Sequence, residues 1–195
     1  MIYLDDSLFI GKGFHHTAYA HPTDQHLCIK ILHNSRQDAQ KQHERELKYN
    51  QKLQRKNKHK QLVGMACYLG TIETNLGEGF IFQLIRDNDG NISKSLATYL
   101  NDQDFVQQHW QAIRTDLDQL KQRMFDQQII PMKIFAKNIL YRKLDESNYE
   151  LVIIDGLGSA TFIPLEYYFS CAAKARINRK WREFESTLPK ILQNG

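Results

Sequence analysis

Four side chains in this sequence, Lys30, Glu46, Asn138 and Asp155, are of the types that hold a polyphosphate through a divalent cation: an ammonium, a carboxamide and two carboxylates. Lys30 sits in Cys28-Ile29-Lys30-Ile31-Leu32, a charge inside an apolar strand. Burying an unpaired ammonium is costly, so a partner or an anion is expected; an outward lysine on an edge strand is the alternative. Glu46 is the expected partner. It shares a helix face with Tyr49, Asn50 and Leu53, whereas Glu44 points about 200° round the helix. Asp155 ends the apolar run 151–154 and is followed by Gly156-Leu157-Gly158. With the Asn138 amide oxygen it would hold Mg²⁺ on the phosphates, because magnesium takes few protein ligands. An aspartate that simply starts a turn is the plainer reading of Asp-Gly.

The surroundings of Asn138 narrow the chemistry. Ile130-Pro131-Met132-Lys133-Ile134-Phe135-Ala136-Lys137-Asn138 resembles the catalytic loop of protein-kinase-like enzymes. There the metal-binding asparagine follows, by five positions, the aspartate that takes the substrate proton. Lys133 occupies that aspartate's place, and a protonated ammonium has no lone pair to accept a proton. No catalytic residue is therefore assigned. Gly11 and Gly13 lie between two strands, where a missing Cβ lets backbone approach phosphates; His16 stands where that loop would carry a third glycine.

The elements that must position these residues follow from periodicity. Strands are expected at 8–10, 17–20, 27–32, 65–73 and 79–85, with a Gly11-Lys12-Gly13 turn and a hairpin-like connection at 74–78. Residues 36–59 read as a mostly exposed charged helix. The stretch 87–91 is rich in turn residues and marks a boundary. Beyond it, Val106, Trp110, Ile113, Leu117, Leu120 and Met124 draw an apolar stripe down a long helix, either a core face or a coiled-coil seam. Apolar runs at 139–141 and 151–154 and a basic helical stretch at 165–192 complete the chain.

The order of these features is similar to that of kinases. The expected fold is α+β and protein-kinase-like, one domain over 1–195. It has a small antiparallel-sheet N-lobe with one helix (1–86) and an abbreviated, mainly helical C-lobe (92–195). More closely, the chain resembles the PhoP regulatory network protein YrbL family. The resemblance rests on Tyr19-Ala20-His21-Pro22, Cys28-Ile29-Lys30-Ile31, Arg45-Glu46-Leu47-Lys48-Tyr49, Lys137-Asn138-Ile139-Leu140 and Ile163-Pro164-Leu165. It implies a bacterial protein of the PhoP-controlled response and supplies no substrate.

The expected ligands are ATP and Mg²⁺, with Gly11, Gly13, Lys30 and Glu46 on the nucleotide and Asn138 and Asp155 on the metal. A pseudokinase or weak phosphotransferase that signals to a protein partner is the leading reading. The alternatives are an active phosphotransferase with a non-standard base, and a non-nucleotide module for an acidic partner or nucleic acid. A net charge of +4 is mild, and the abundant Asp and Glu argue against a nucleic-acid footprint. Cys28, Cys67 and Cys171 are odd in number and form no CxxC pair, favouring free thiols. His15, His16, His21 and His26 crowd toward Cys28 at spacings that match no usual zinc couple. Apolar patches at 80–85 and 162–173 are too short or interrupted to cross a bilayer, and a cytoplasmic protein without membrane association is expected.

Overall fold

The computed structural model describes residues 1–33, 37–56, 62–159 and 164–193. Position 36 and positions 57–59 of the expected first helix, and Ile163, lie outside the described residues. The fold is mixed α+β, with a five-stranded antiparallel sheet, a two-stranded hairpin and four α-helices among the described residues.

The sheet runs β1 (Phe9–Lys12), β2 (His16–Ala20), β3 (Leu27–Leu32), β5 (Gly77–Gln83), β4 (Tyr68–Thr74) in spatial order. β3 is thus central and not an edge. Alternation along it sends Ile29 and Ile31 to one face, where they pack with Leu4. Cys28, Lys30 and Leu32 go to the other face, among Phe80, Phe82 and Leu47. That face is crossed by α1 (Gln37–Lys56), so Lys30 points into the molecule. The Gly11-Lys12-Gly13 turn is displaced by about two residues. Gly11 and Lys12 belong to β1 beside a bulge, and the reversal is made by Gly13, Phe14 and His15. The β4–β5 hairpin is tighter than expected, with only Asn75 and Leu76 between the strands and Gly77 at φ 103°.

The face of α1 turned inward carries His43, Glu46, Tyr49, Asn50 and Leu53, all buried. Glu46, Tyr49, Asn50 and Leu53 form the face expected from the sequence, and His43 extends it; the polar members conceal how deeply the face is buried. Tyr49 and Leu53 join the largest core, whose other buried members, Met65 apart, come from beyond residue 91.

After β5 the chain turns at Asp87 to Asn91, where Gly90 adopts φ 85°. The short α2 (Leu96–Leu100) is capped by Ser95, whose side chain accepts from the Thr98 amide. Asp102 caps α3 (Gln103–Gln127) in the same way, accepting from Phe105. Val106, Ile113, Leu117, Leu120 and Met124 are buried along α3, and Trp110 packs at the margin of the core. The stripe is covered from within the chain by Ala173, Ile177, Trp181 and Phe184 of α4 (Ser170–Glu185). It is therefore a core face, and no seam remains for a coiled-coil partner.

Between α3 and α4 lies the hairpin of β6 (Ile139–Lys143) and β7 (Tyr149–Ile153), paired from Ile139↔Ile153 to Lys143↔Tyr149. This register sets Asn138, just before β6, against Ile154, just after β7. The Ile154 amide donates to the Asn138 carbonyl at 2.9 Å. The hairpin is the device that aligns Asn138 with the Asp155 turn. No helix among the described residues is long and apolar enough to cross a membrane.

Candidate functional site

Asp155 leaves β7 at the rim of the sheet's inner face and is followed by Gly156 at φ 84°, a conformation that favours glycine. A Cβ on Gly156 would lie 2.5 Å from the Lys133 carbonyl oxygen. The Gly156 carbonyl in turn accepts from the Met132 and Lys133 amides at 2.8 and 3.2 Å. The backbone of the 130–138 loop is thereby clamped to the Asp155 turn. The Lys133 side chain is exposed. The Asn138 carboxamide borders the same turn, its Nδ2 3.8 Å from the position of a Gly156 Cβ, and makes no hydrogen bond among the described residues.

Glu46 approaches from α1. Its Oε1 accepts from the amides of Gly156 at 2.9 Å and Leu157 at 3.2 Å, and its carboxyl hydrogen-bonds Asp155. Two carboxyl groups in hydrogen-bond contact must share a proton. Burial, then the charge of Asp155 and the hydrogen bond to it, push Glu46 up to about 8. Burial also pushes Asp155 up, but the Lys30 charge, the Glu46 hydrogen bond and His16 together bring it below the usual carboxylate range. The pair is thus a protonated Glu46 donating to an Asp155 carboxylate.

Lys30 is close enough for its charge to act on both carboxyls, yet it forms no ion pair with either among the described residues. Its Nζ donates to the Ile154 carbonyl at 2.8 Å and lies 4.5 Å from the centre of the Phe82 ring. The expected Lys30–Glu46 pair is thus replaced by two separate arrangements. Glu46 secures the backbone of the Asp155 turn, and Lys30 rests on the carbonyl immediately before it. Glu44, assigned to the other face, is exposed and lies 3.8 Å from Lys48.

Two histidines that the sequence did not join to this site stand above it. His16 Nε2 and His43 Nδ1 are 2.9 Å apart, and the His43 ring centre lies 4.0 Å from that of Phe80. Burial, then the Lys30 charge, lower both rings, His16 to about 3. Burial first, and the neighbouring ammonium second, hold them neutral. A signal existed in the sequence: His43 is three residues before Glu46 and so shares its face.

The other expected members are more distant from the carboxyl pair in role. Gly11 has open space where a Cβ would go, and Gly13 donates its amide to the His16 carbonyl at 2.8 Å, closing the hairpin. No group of three or more His, Cys, Asp or Glu suited to a metal occurs among the described residues. A Mg²⁺ ion needs fewer protein donors than that when phosphate oxygens complete its shell. The Asn138 carboxamide, which borders the Asp155 turn, and the Asp155 carboxylate are oxygen donors of the type such an ion takes.

Comparison with known proteins agrees in one respect above all. The profile of the PhoP regulatory network protein YrbL family matches residues 2–189. The chain belongs to that family. The YrbL proteins of Escherichia coli (strain K12) and Shigella flexneri are each 34% identical to it over 188 residues, covering 94% of this chain and 86% of theirs. In this YrbL-family chain, the site lies well inside the matched region.

Proposed function

We propose that this chain is a kinase-like protein that binds a nucleoside triphosphate with Mg²⁺ in the cleft between the sheet and the β6–β7 hairpin, and that it serves the PhoP-linked regulatory response of its family. The observation that carries the reading is the meeting of Lys30, Glu46, Asn138 and Asp155, from four separate segments, around one turn. In this reading residues 1–86 are an N-lobe and 92–195 an abbreviated C-lobe. Lys30 exchanges a neutral carbonyl for phosphate oxygens, which adds the attraction of opposite charges to the hydrogen bond. Asn138 and Asp155 hold the ion, which neutralises phosphate charge when bound. Gly11 and Gly13 leave room above the phosphates.

The reading stops at binding, because Lys133 stands where a base would be needed and offers no lone pair. A protein partner that senses the loaded state is the corresponding output. Thermal unfolding with ATP, with and without Mg²⁺, tests the proposal directly. Occupancy at 100 times the dissociation constant stabilises by about 2.7 kcal/mol. The expected result is a Mg²⁺-dependent rise in Tm that Lys30→Ala and Asp155→Ala remove. An unchanged Tm at millimolar ATP would sink the proposal. Phosphate transfer from labelled ATP, present in the wild type and abolished by Asp155→Ala, would replace a binding protein with an active phosphotransferase.

A further inference from the structure

Arg86, in the segment that leaves β5, is partly buried and has no carboxylate within ion-pair distance among the described residues. Its Nε donates to the Gln25 carbonyl at 2.6 Å and one terminal nitrogen to the Gly90 carbonyl at 2.8 Å. These bonds orient the guanidinium and leave its charge uncompensated. The nearby acids are engaged elsewhere. Asp87 Oδ1 accepts from the Ser93 hydroxyl at 2.5 Å and the Lys143 amide at 2.9 Å. Both Asp89 oxygens accept from Asn91.

A second arginine converges on the same place from β6. Arg142 Nε donates to the carbonyl of Arg86 itself at 2.8 Å, and its nearest acid, Glu150, is 3.7 Å away and already held at 2.9 Å by Arg123. Arg86 and Arg142 line one partly open cavity of about 300 Å³, bordered by the β2–β3 turn at Gln25 and His26, by Gln83 of β5 and by Asp87. None of Gly11, Gly13, Lys30, Glu46, Asn138 and Asp155 lines it. Each guanidinium has five N–H donors in a planar fork, and the bonds above use two on Arg86 and one on Arg142. The remaining donors suit the bidentate geometry of carboxylate or phosphate. A cavity of this size takes a small metabolite and no larger partner.

We infer that this cavity is a second ligand site, in which Arg86 and Arg142 bind the oxyanion group of a small carboxylate- or phosphate-bearing molecule. Its position, between the β5 exit and β6, ties the sheet to the hairpin that carries Asn138. The inference does not depend on nucleotide binding in the cleft.

Titration calorimetry and thermal unfolding of the full chain with citrate and, separately, with inorganic phosphate as probes test it. At least one probe is expected to bind saturably, and whichever binds names the preferred oxyanion. Losing a charge-assisted contact weakens binding by about tenfold or more, so Arg86→Gln and Arg142→Gln should each show that loss. Lys30→Ala should bind as wild type does. Circular dichroism establishes that each variant is folded; should Arg86→Gln not fold, Arg142→Gln decides alone. Absence of saturable binding for both probes, undiminished binding in the folded arginine variants, or loss of binding in Lys30→Ala would each overturn the inference.

Discussion

At Glu46 a proton is part of the structure. With two backbone amides on Oε1 and a side-chain hydrogen bond to Asp155, the carboxyl can be replaced by an amide of the same shape. In Glu46→Gln the carbonyl oxygen keeps the amides of Gly156 and Leu157, and the NH₂ donates to Asp155. What disappears is titration. The folded protein holds the Glu46 proton up to about pH 8, while an unfolded glutamate releases it near 4.5. The stabilisation from that proton is complete below 4.5 and is lost as pH rises toward 8. The unfolding free energy of Glu46→Gln minus that of wild type is therefore expected to rise across this window, by up to about 1.4 kcal/mol per pH unit. Urea unfolding at several pH values measures it. A difference that stays flat from pH 5 to pH 8 would show that Glu46 is ionised in the fold.

The seam between β2 and α1 explains both what was legible in the sequence and what was not. Asn138 and Asp155 could be found because each follows or precedes an apolar run, and hairpin register then aligns them without further information. Lys30 was visible as a charge in an apolar strand. Its partner was not, since the choice between a carboxylate and a carbonyl depends on how closely the Asp155 turn approaches, which no local pattern encodes. The inward face of α1 was only partly legible: Glu46 could be set with Tyr49, Asn50 and Leu53, but His43 and the depth of burial were missed because periodicity registers mainly apolar positions. The His16–His43 contact joins residues 27 apart in sequence and depends on how the sheet and helix pack. That contact carries a consequence for acid stability. His43 faces Lys30 and Asp155 from the sheet and hairpin, and Glu44 from its own helix; His16 additionally faces His15. Both rings are held neutral below their unfolded value of about 6.5, so the stability they contribute is present above that pH and is lost as pH falls through it. Two imidazolium rings would also present donors to each other and break the 2.9 Å bond. His43→Leu keeps apolar packing against Phe80 and removes a buried Nε2 that has no hydrogen-bond partner among the described residues. His16 is less buried, and water can take the vacated position. The expected cost at pH 7 is small, within about 1 kcal/mol. The loss of stability between pH 7 and pH 5 should be clearly smaller than in wild type, as read from denaturation midpoints at the two pH values. Equal losses would remove the histidine seam as an acid-sensitive element.

The whole molecule is joined through α1, which follows the first three strands in sequence yet contributes to the core of the helical part. Tyr49 and Leu53 lie in the same buried cluster as Ile113, Leu120, Ile177 and Trp181. A second bridge is built from Ala66, Ile85 and Val152, which pack together from either side of the 87–91 turn. With its apolar contacts shared in this way, the sheet cannot unfold without opening the core of the helices, and one transition is expected. Tyr49 offers a local test of that coupling. Its hydroxyl donates to the Gln128 carbonyl at 2.9 Å and accepts from the Ile130 amide at 2.6 Å, fixing α1 to the start of the loop that carries Asn138. Tyr49→Phe leaves the buried Ile130 amide without its acceptor, at a cost of about 1–3 kcal/mol. Both tryptophans, Trp110 and Trp181, stand in α3 and α4. Their fluorescence reports the helical part alone, while far-ultraviolet circular dichroism also sees the sheet and α1. In urea, the two signals are expected to change together in wild type and to shift to a lower midpoint by the same amount in Tyr49→Phe. A fluorescence transition left in place while the circular dichroism transition moves would mean that the sheet and the helices unfold as separate units.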